Sequence, residues 1–115
     1  MLSLKKSAEG QARHALTLLF GLDPYVKFAV AVDADVDVFD EEEVLWSMAT
    51  RFQADTDMFV IPKMFCNRLD PSSFEGMAAK LGIDATAPMD WDVKRTSIPA
   101  GAREWVKKFL HDKKL

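Results

Sequence analysis

The chain has 115 residues, 49% of them apolar, which is enough to bury the core of one domain. Its net charge is −3 with scattered lysines and arginines, so it lacks the basic stripe that binds nucleic acid or anionic membranes. The run FAVAV at 28–32 is too short for a membrane span. We therefore expect a soluble cytoplasmic protein with neither partner, and the single Cys66 agrees with a reducing compartment.

Two elements are predicted before residue 24. The segment LSLKK at 2–6 alternates apolar and polar residues, as a short edge strand does. From Ala8 to Phe20 apolar residues recur at steps of three and four, which predicts the first helix. Gly21 stands where a left-handed cap would end that helix.

The clearest strand signal is YVKFAVAVD at 25–33, whose apolar and β-branched content is typical of a strand covered on both faces in a parallel sheet. Asp40 then occupies an N-cap position, and Glu43 follows three residues later. This spacing predicts a capping box at the start of a helix from about Glu41 to Arg51.

A second buried strand is predicted at 57–62, DMFVIP, and Pro62 is expected to stop it. The order strand, helix, strand predicts a right-handed crossover that joins a parallel pair. Residues 63–101 contain prolines and glycines and are expected to form a long excursion outside the core, with a helical turn or two around PSSFEGMAAKLG. From Ala102 onward the apolar spacing predicts an amphipathic helix.

These elements predict an α/β fold. We expect a single, small three-layer domain over 1–115, with a short mixed or parallel sheet and a C-terminal amphipathic helix. No internal repeat or low-complexity segment divides the chain.

The segment VDADVDVFDEEE at 32–43 contains seven carboxylates. A calcium loop is excluded because its sixth and twelfth positions are Val38 and Val44, where Gly and Glu are required. If the strand continued, three alternating aspartates could hold Mg²⁺ at its carboxyl end: Asp33, Asp35 and Asp37. We favour capping and loop roles for these acids, and keep a Mg²⁺-dependent enzyme as the less favoured hypothesis.

No other residue pattern predicts catalysis. His14 and His111 have no carboxylate or serine partner at a recognisable motif spacing, and Cys66 lacks the context of a catalytic nucleophile. Phosphate-binding, metalloprotease and hydrolase motifs are also missing.

The order of several segments carries more information than any one motif: GQARHAL, YVKFAVAVDADVDVFDEEEVLWSMATRFQADTDMFVIP, LDPSS and AAKLGIDAT. Together they resemble the C-terminal domain of the UbiD family of reversible decarboxylases. The resemblance covers roughly residues 2–90. It implies a decarboxylase of aromatic, heteroaromatic or α,β-unsaturated acids that uses prenylated FMN, with a divalent metal that holds the cofactor phosphate.

In that family the flavin, the metal ligands and the Glu-Arg-Glu catalytic set belong to a preceding flavin-binding domain, which we expect this chain to lack. The resemblance therefore assigns no catalytic, cofactor-binding or metal-binding residue to this chain, which we expect to bind no cofactor and to be inactive by itself.

The resemblance also implies two contact surfaces. Oligomer contacts are expected from an apolar stripe of the tail helix, although a helix docked on its own sheet would show the same pattern: Trp105, Val106, Phe109 and Leu110. A substrate-facing wall is expected after the second strand, with a plain surface or interface loop as the alternative: Met64, Phe65 and Cys66.

The leading hypothesis is a C-terminal domain or small subunit of a UbiD-type decarboxylase, which completes the enzyme together with a flavin-binding partner and forms a homo-oligomer. The alternative is a stand-alone binding or assembly module that has the same fold but no role in decarboxylation.

Overall fold

The computed structural model describes residues 1–89, 104 and 107–109. Six elements follow each other along the chain: β1 (Leu2–Leu4), α1 (Gln11–Leu22), β2 (Phe28–Asp33), α2 (Glu41–Arg51), β3 (Met58–Phe65) and β4 (Met77–Ala85). The strands form one sheet in the order β1-β2-β4-β3. β1, β2 and β4 are parallel, whereas β3 is antiparallel to β4.

The two helices pack on opposite faces of this sheet because side chains alternate along β2. Ala29 and Ala31 face α1, where small side chains let the helix lie close to the strand. Val30 and Val32 face the other way and pack with Val44 of α2. The predicted α/β fold with three layers and a mixed sheet is therefore confirmed.

Helix α1 packs on one face of the sheet. Its apolar stripe packs against β2 and also meets both ends of β3, through residues at helical spacing: Ala12, Leu16 and Phe20. The helix includes Gly21 and ends at Leu22, with Asp23 donating its backbone N–H to the carbonyl of Leu19. The predicted left-handed cap at Gly21 is therefore wrong, since the helix continues through that residue.

The start of α2 is capped as predicted at Asp40, whose Oδ1 accepts the Glu42 backbone N–H at 3.0 Å. The reciprocal half of the predicted capping box is wrong. The Asp40 N–H donates to the carbonyl of Asp37 at 3.1 Å, while the Glu43 carboxylate accepts the N–H of Asp37 at 2.7 Å. Glu43 thus ties the incoming loop to the first turn of the helix.

The prediction that 63–101 lie outside the core is wrong, because β4 is a central strand between β2 and β3. The predicted helical turn around PSSFEGMAAKLG is a bend followed by that strand. The predicted parallel pair is also wrong, since β4 separates the two predicted strands and β3 runs antiparallel to it.

Strand β3 continues past Pro62 to Phe65, although Pro62 was predicted to end it. A proline is tolerated here because β3 is an edge strand, where a missing N–H need not break the sheet. The pairing with β4 shifts register between Ile61 and Met64, and Lys63 has a positive φ of 56° within that shift. The bulge lets the strand resume its pairing after the proline.

A lysine lies in the core of the sheet. Lys80 of β4 is 1% exposed, and its Nζ donates to the carbonyls of Pro24 at 2.8 Å and Val26 at 2.6 Å. These hydrogen bonds offset part of the cost of burying an ammonium group. They also fix the turn between α1 and β2 onto the central strand.

The closest packing of β3 on β4 occurs at Gly82. A methyl group built on this glycine would overlap the ring of Phe59. The Phe59 ring is held there by an edge contact with Phe20, at 6.4 Å between centroids, and by the Arg13 guanidinium 4.7 Å above it. Only glycine leaves room for the ring on the central strand.

The described helices lack the combination of length and apolar content that a bilayer crossing requires.

We predict that Gly82→Ala lowers the free energy of unfolding by about 1–3 kcal/mol, because the Phe59 ring must leave its position between Phe20 and Arg13. The matched control is Gly21→Ala in α1, where nothing lies within 4 Å of the added methyl group. That control should raise stability by about 0.5–1 kcal/mol. Urea unfolding followed by circular dichroism measures both, and equal effects of the two substitutions would contradict the packing argument.

Candidate functional site

The acidic segment is organised by one arginine. Arg51, the last residue of α2, donates from Nη1 to Asp33 at 2.7 Å and grips Asp35 through both terminal nitrogens, at 3.0 and 3.1 Å. Its side chain is 9% exposed, and the guanidinium lies 4.9 Å from the Trp46 ring centroid. Hydrogen bonding to Asp35, together with the charges of both aspartates, raises the pKa of Arg51 above its ordinary value.

Asp33 has a second role in this cluster. Its Oδ2 also accepts the backbone N–H of Ala87 at 2.8 Å. The carboxylate therefore joins the end of β2, the end of α2 and the chain that leaves β4. We call Arg51, Asp33 and Asp35 the arginine clasp.

The clasp gives the acidic segment a structural role. β2 ends at Asp33, so Asp35 and Asp37 do not continue one side of a strand. Asp37 instead accepts the N–H of Phe39 at 2.9 Å in a local turn. Among the residues that the structure describes, no three His, Cys, Asp or Glu side chains are grouped as metal ligands would be. The geometry does not favour the Mg²⁺ hypothesis.

A cavity of about 300 Å³ opens beside the clasp, at the carboxyl ends of the parallel strands. Open α/β sheets commonly bind ligands at this end. The carboxylates that line it are already paired with Arg51, and Lys6 lies 3.5 Å from Glu9. Glu9 also accepts the N–H of Met89, and this hydrogen bond lowers the pKa of Glu9. The charged side chains of Asp33, Asp35 and Lys6 beside this cavity are therefore bound by protein groups.

The three residues predicted to form a substrate-facing wall differ in accessibility. Met64 packs towards α1, and Cys66 is a free, buried thiol whose backbone N–H donates to Gly76 at 3.0 Å. Phe65 is 70% exposed at the end of β3. Phe65 is thus the exposed member of the three, whereas Met64 is half-buried and Cys66 is buried.

The loop that follows β3 carries a second polar cluster. Asp70 accepts hydrogen bonds from the hydroxyl of Ser72 at 2.7 Å and from its N–H at 2.9 Å, and Lys27 lies 3.0 Å away. These contacts, with the Ser72 hydroxyl first, lower the pKa of Asp70 from 3.8 to about 2. The loop also borders an open cavity of about 520 Å³ that is lined in part by Arg68 and Glu75.

The tail supplies little to the described site. Residues 104 and 107–109 are helical, and Lys107 Nζ lies 3.9 Å from Glu42 Oε1. Phe109 is 44% exposed. The remainder of the predicted tail surface lies outside the described residues: Trp105, Val106 and Leu110.

An exposed apolar surface was missed by the sequence analysis. On the α2 side of the sheet, helix α2 packs near the carboxyl ends of β2 and β4. Several large side chains nearer the amino ends of these strands, or beside them on β3, are exposed: Phe28, Met58, Val60 and Met77. The apolar pattern of β3 could not show that Met58 and Val60 are exposed, because the same residues would suit a strand that is covered on both faces.

A family model matches most of the chain. Residues 1–85 match the 3-octaprenyl-4-hydroxybenzoate carboxy-lyase C-terminal domain. The anhydromevalonate phosphate decarboxylase of Aeropyrum pernix is 44% identical over 90 residues, which are 78% of this chain and 21% of that protein. The gallate decarboxylase of Lactiplantibacillus plantarum is 44% identical over 92 residues, 71% of this chain and 19% of that protein.

Solved structures agree with these relatives. The UbiD-class enzyme HmfF from Pelotomaculum thermopropionicum, in complex with FMN, matches 94% of this chain and 25% of its own, with a TM-score of 0.78 and 40% identity. The open form of Sedimentibacter hydroxybenzoicus vanillic acid decarboxylase matches 97% of this chain and 26% of its own, with a TM-score of 0.74 and 32% identity. The chain thus spans about a fifth of the curated relatives and a quarter of these structures.

We predict that Arg51→Met lowers the free energy of unfolding by about 1–3 kcal/mol, because it removes the guanidinium that binds Asp33 and Asp35. The control is Asp37→Asn, whose amide oxygen can still accept the Phe39 N–H, and it should change stability by less than about 0.5 kcal/mol. Urea unfolding at pH 7 measures both. A loss for Asp37→Asn as large as that for Arg51→Met would count against the clasp.

We predict that Ser72→Ala raises the pKa of Asp70 from about 2 towards 3.8, because the variant removes the hydroxyl that contributes most to the lowered value. The folded-state pKa lies below the unfolded value, so this carboxylate stabilises the fold above about pH 4 and loses that effect as pH falls towards 2. The control is Ser73→Ala, whose hydroxyl donates to the Asp70 backbone carbonyl. Carboxyl NMR titration measures the pKa in each variant, and an unchanged value in Ser72→Ala would refute the assignment.

Proposed function

The chain belongs to the UbiD family as its C-terminal domain, and from this premise we propose that it is the non-catalytic domain or small subunit of a prenylated-FMN-dependent decarboxylase. In this role it supplies oligomer contacts and part of the substrate cleft. The observation that carries the proposal is the match of residues 1–85 to a C-terminal domain, in relatives of which the matched segment is about a fifth. The proposed substrates are aromatic or α,β-unsaturated carboxylic acids, a class that includes the gallate of one relative.

The cofactors belong to the partner in this proposal. The described residues offer no group of three metal ligands, and the carboxylates at the strand ends are bound by Arg51. These residues do not fit a metal that holds a flavin phosphate. We therefore assign prenylated FMN and the divalent metal to a flavin-binding domain or subunit, and no step of the reaction to a residue of this chain.

Phe65 is the residue that we propose for the cleft wall. Its ring is exposed, and the strand end is held by the half-buried Met64, which packs against the α1 cluster, and by the hydrogen bond from the Cys66 N–H to the Gly76 carbonyl. A rigid aromatic side chain of this kind can pack against the ring or double bond of an unsaturated acid. Met64 and Cys66 then support the wall from beneath.

The proposal also includes a homo-oligomer, with contacts from the tail stripe at Trp105, Val106, Phe109 and Leu110. The supporting observation within the described residues is the exposure of Phe109. The proposed location is the cytoplasm, because a reducing compartment suits the unpaired Cys66. The alternative function is a stand-alone binding or assembly module with the same fold.

Purification of the native protein from its source under anaerobic conditions tests the proposal. We expect a larger polypeptide, fused to this chain or associated with it, that carries the absorbance of a modified flavin. Intact-mass spectrometry and ultraviolet-visible spectroscopy measure the two properties on one sample. A colourless 12.9 kDa chain without a partner would instead support the assembly-module alternative.

We predict that Phe65→Ala in the complete enzyme raises KM about tenfold with a smaller effect on kcat, because it removes apolar contact with the substrate in the ground and transition states alike. The control is Leu69→Ala, an exposed apolar residue in the loop that follows. Steady-state decarboxylation of an aromatic acid measures both variants. An unchanged KM for Phe65→Ala would remove Phe65 from the cleft.

A further inference from the structure

Three apolar side chains lie in one row where β3 ends and β4 begins. Phe65, the last residue of β3, pairs directly with Met77, the first residue of β4. Met77 also pairs with Phe74 through two backbone hydrogen bonds of 2.9 Å, in which each residue donates its N–H to the carbonyl of the other. The N–H and C=O of a strand residue point to the same side of the strand, so Phe74 and Phe65 lie on opposite sides of Met77.

The side chains of this row project from one face, because residues directly opposite each other in an antiparallel pair share a face. We call Phe65, Met77 and Phe74 the loop row. Phe65 is 70% exposed and Phe74 is 73% exposed, whereas Met77 between them is 37% exposed. The loop row is therefore a shallow groove with a phenylalanine on each side and a methionine at its base.

A tight turn holds Phe74 in this position. The turn passes through Glu75 and Gly76, which have positive φ angles of 53° and 77°. Two residues of this conformation join paired strands without splaying them, and glycine adopts it at no steric cost. A Cβ built on Gly76 would also lie 3.3 Å from Nε of Arg68. The backbone therefore fixes where the Phe74 side chain begins.

Lys27 attaches the same loop to the sheet. Its Nζ lies 3.0 Å from Oδ2 of Asp70 and donates to the hydroxyl of Ser72. Its backbone carbonyl accepts the N–H of Leu81 in β4 at 3.0 Å. A side chain that is presented from a fixed position loses less conformational entropy when it contacts a ligand. The loop row is thus prepared for binding before a ligand arrives.

The spacing of the loop row fits one aromatic ring. Neighbouring strands lie about 4.8 Å apart, so the residues on either side of Met77 are separated by about 10 Å at their Cα atoms. Aromatic rings contact each other at centroid distances of about 4.5–7 Å. A planar ring over Met77 can therefore contact both phenylalanines, with the methionine sulfur about 5 Å from it. A helix, about 10–12 Å across, is too wide to enter this gap.

We propose that the loop row binds the ring of an aromatic acid substrate, and that Phe74 is a specificity-determining residue. The inference deepens the proposed function and rests on the cleft wall at Phe65. It adds a second aromatic wall and a base at Met77. Contact with two rings and a sulfur favours an aromatic acid over a straight-chain unsaturated acid, which is too narrow to touch both walls at once.

Steady-state kinetics of the complete enzyme test this role. We expect Phe74→Ala to raise KM about fivefold for an aromatic acid and by less than about twofold for a straight-chain α,β-unsaturated acid, so the selectivity between them falls. Phe74→Tyr keeps the ring and should retain the wild-type selectivity. The matched control is Phe39→Ala, at an exposed phenylalanine in the loop before α2, which should change neither KM.

A binding measurement on the 115-residue chain does not depend on activity. With carbon-13 in the methionine methyl groups, benzoate should shift the Met77 resonance upfield through the ring current of the bound probe. Cyclohexanecarboxylate has the same charge and a similar size but no ring current, and should shift it much less. Met58 and Met1 are also exposed and should respond little to either probe. Phe74→Ala should remove the shift at Met77.

Unchanged selectivity in Phe74→Ala would overturn the inference, and so would an equal rise of KM for both acids, which indicates a purely structural role. Loss of the larger assembly with unchanged selectivity would assign the loop row to a protein contact and overturn it as well. A Met77 shift no larger than that of Met58 has the same meaning.

The two proposals fail in different ways. Decarboxylation of aromatic acids with unchanged selectivity in Phe74→Ala would leave the proposed function in place and remove the loop row from the cleft. A native protein without flavin whose Met77 resonance still responds to benzoate would remove the decarboxylase role and keep the binding site.

Discussion

The ion pairs of Arg51 anchor the end of helix α2 to the end of β2. Arg51 is the last residue of the helix, and both of its partners, Asp33 and Asp35, lie at the carboxyl end of β2. Burial of a guanidinium is costly, and two carboxylates and the Trp46 ring compensate it at this one position. The helix packs near the carboxyl ends of β2 and β4, where the Ser47 hydroxyl donates to the Ala85 carbonyl at 2.7 Å.

The two faces of the sheet differ as a consequence. Helix α1 packs against residues of β1, β2 and β3, and the Phe59 ring fills the space above Gly82 on that side. Helix α2 packs near the carboxyl ends of β2 and β4, whereas Phe28 and Val60 on the same side of the sheet are exposed. One domain thus combines a finished core on one face with a surface suited to a partner on the other.

Local patterns predicted the elements whose residues carry their own signals. β2 was identified from an apolar run, and the start of α2 from Asp40 and the glutamates behind it. β4 was missed because alanine, methionine and a buried Lys80 are not typical of a central strand, and Gly82 is usually a strand breaker. Its place in the centre of the sheet depends on pairing with β2, which lies far away along the chain.

The candidate surfaces were predictable to different degrees for the same reason. The segment order indicated the family, and with it the proposed wall at Phe65, because that information is carried by consecutive residues. The exposed apolar residues on the α2 side could not be found in this way, since valine and phenylalanine, as at Val60 and Phe28, are equally common in buried strands. Their exposure depends on where α2 crosses the sheet, and contacts such as that of Arg51 with Asp33, eighteen residues earlier, are not reported by any periodicity. Large apolar residues grouped on one exposed surface are characteristic of an interface, so the proposed assembly accounts for a surface as apolar as the core.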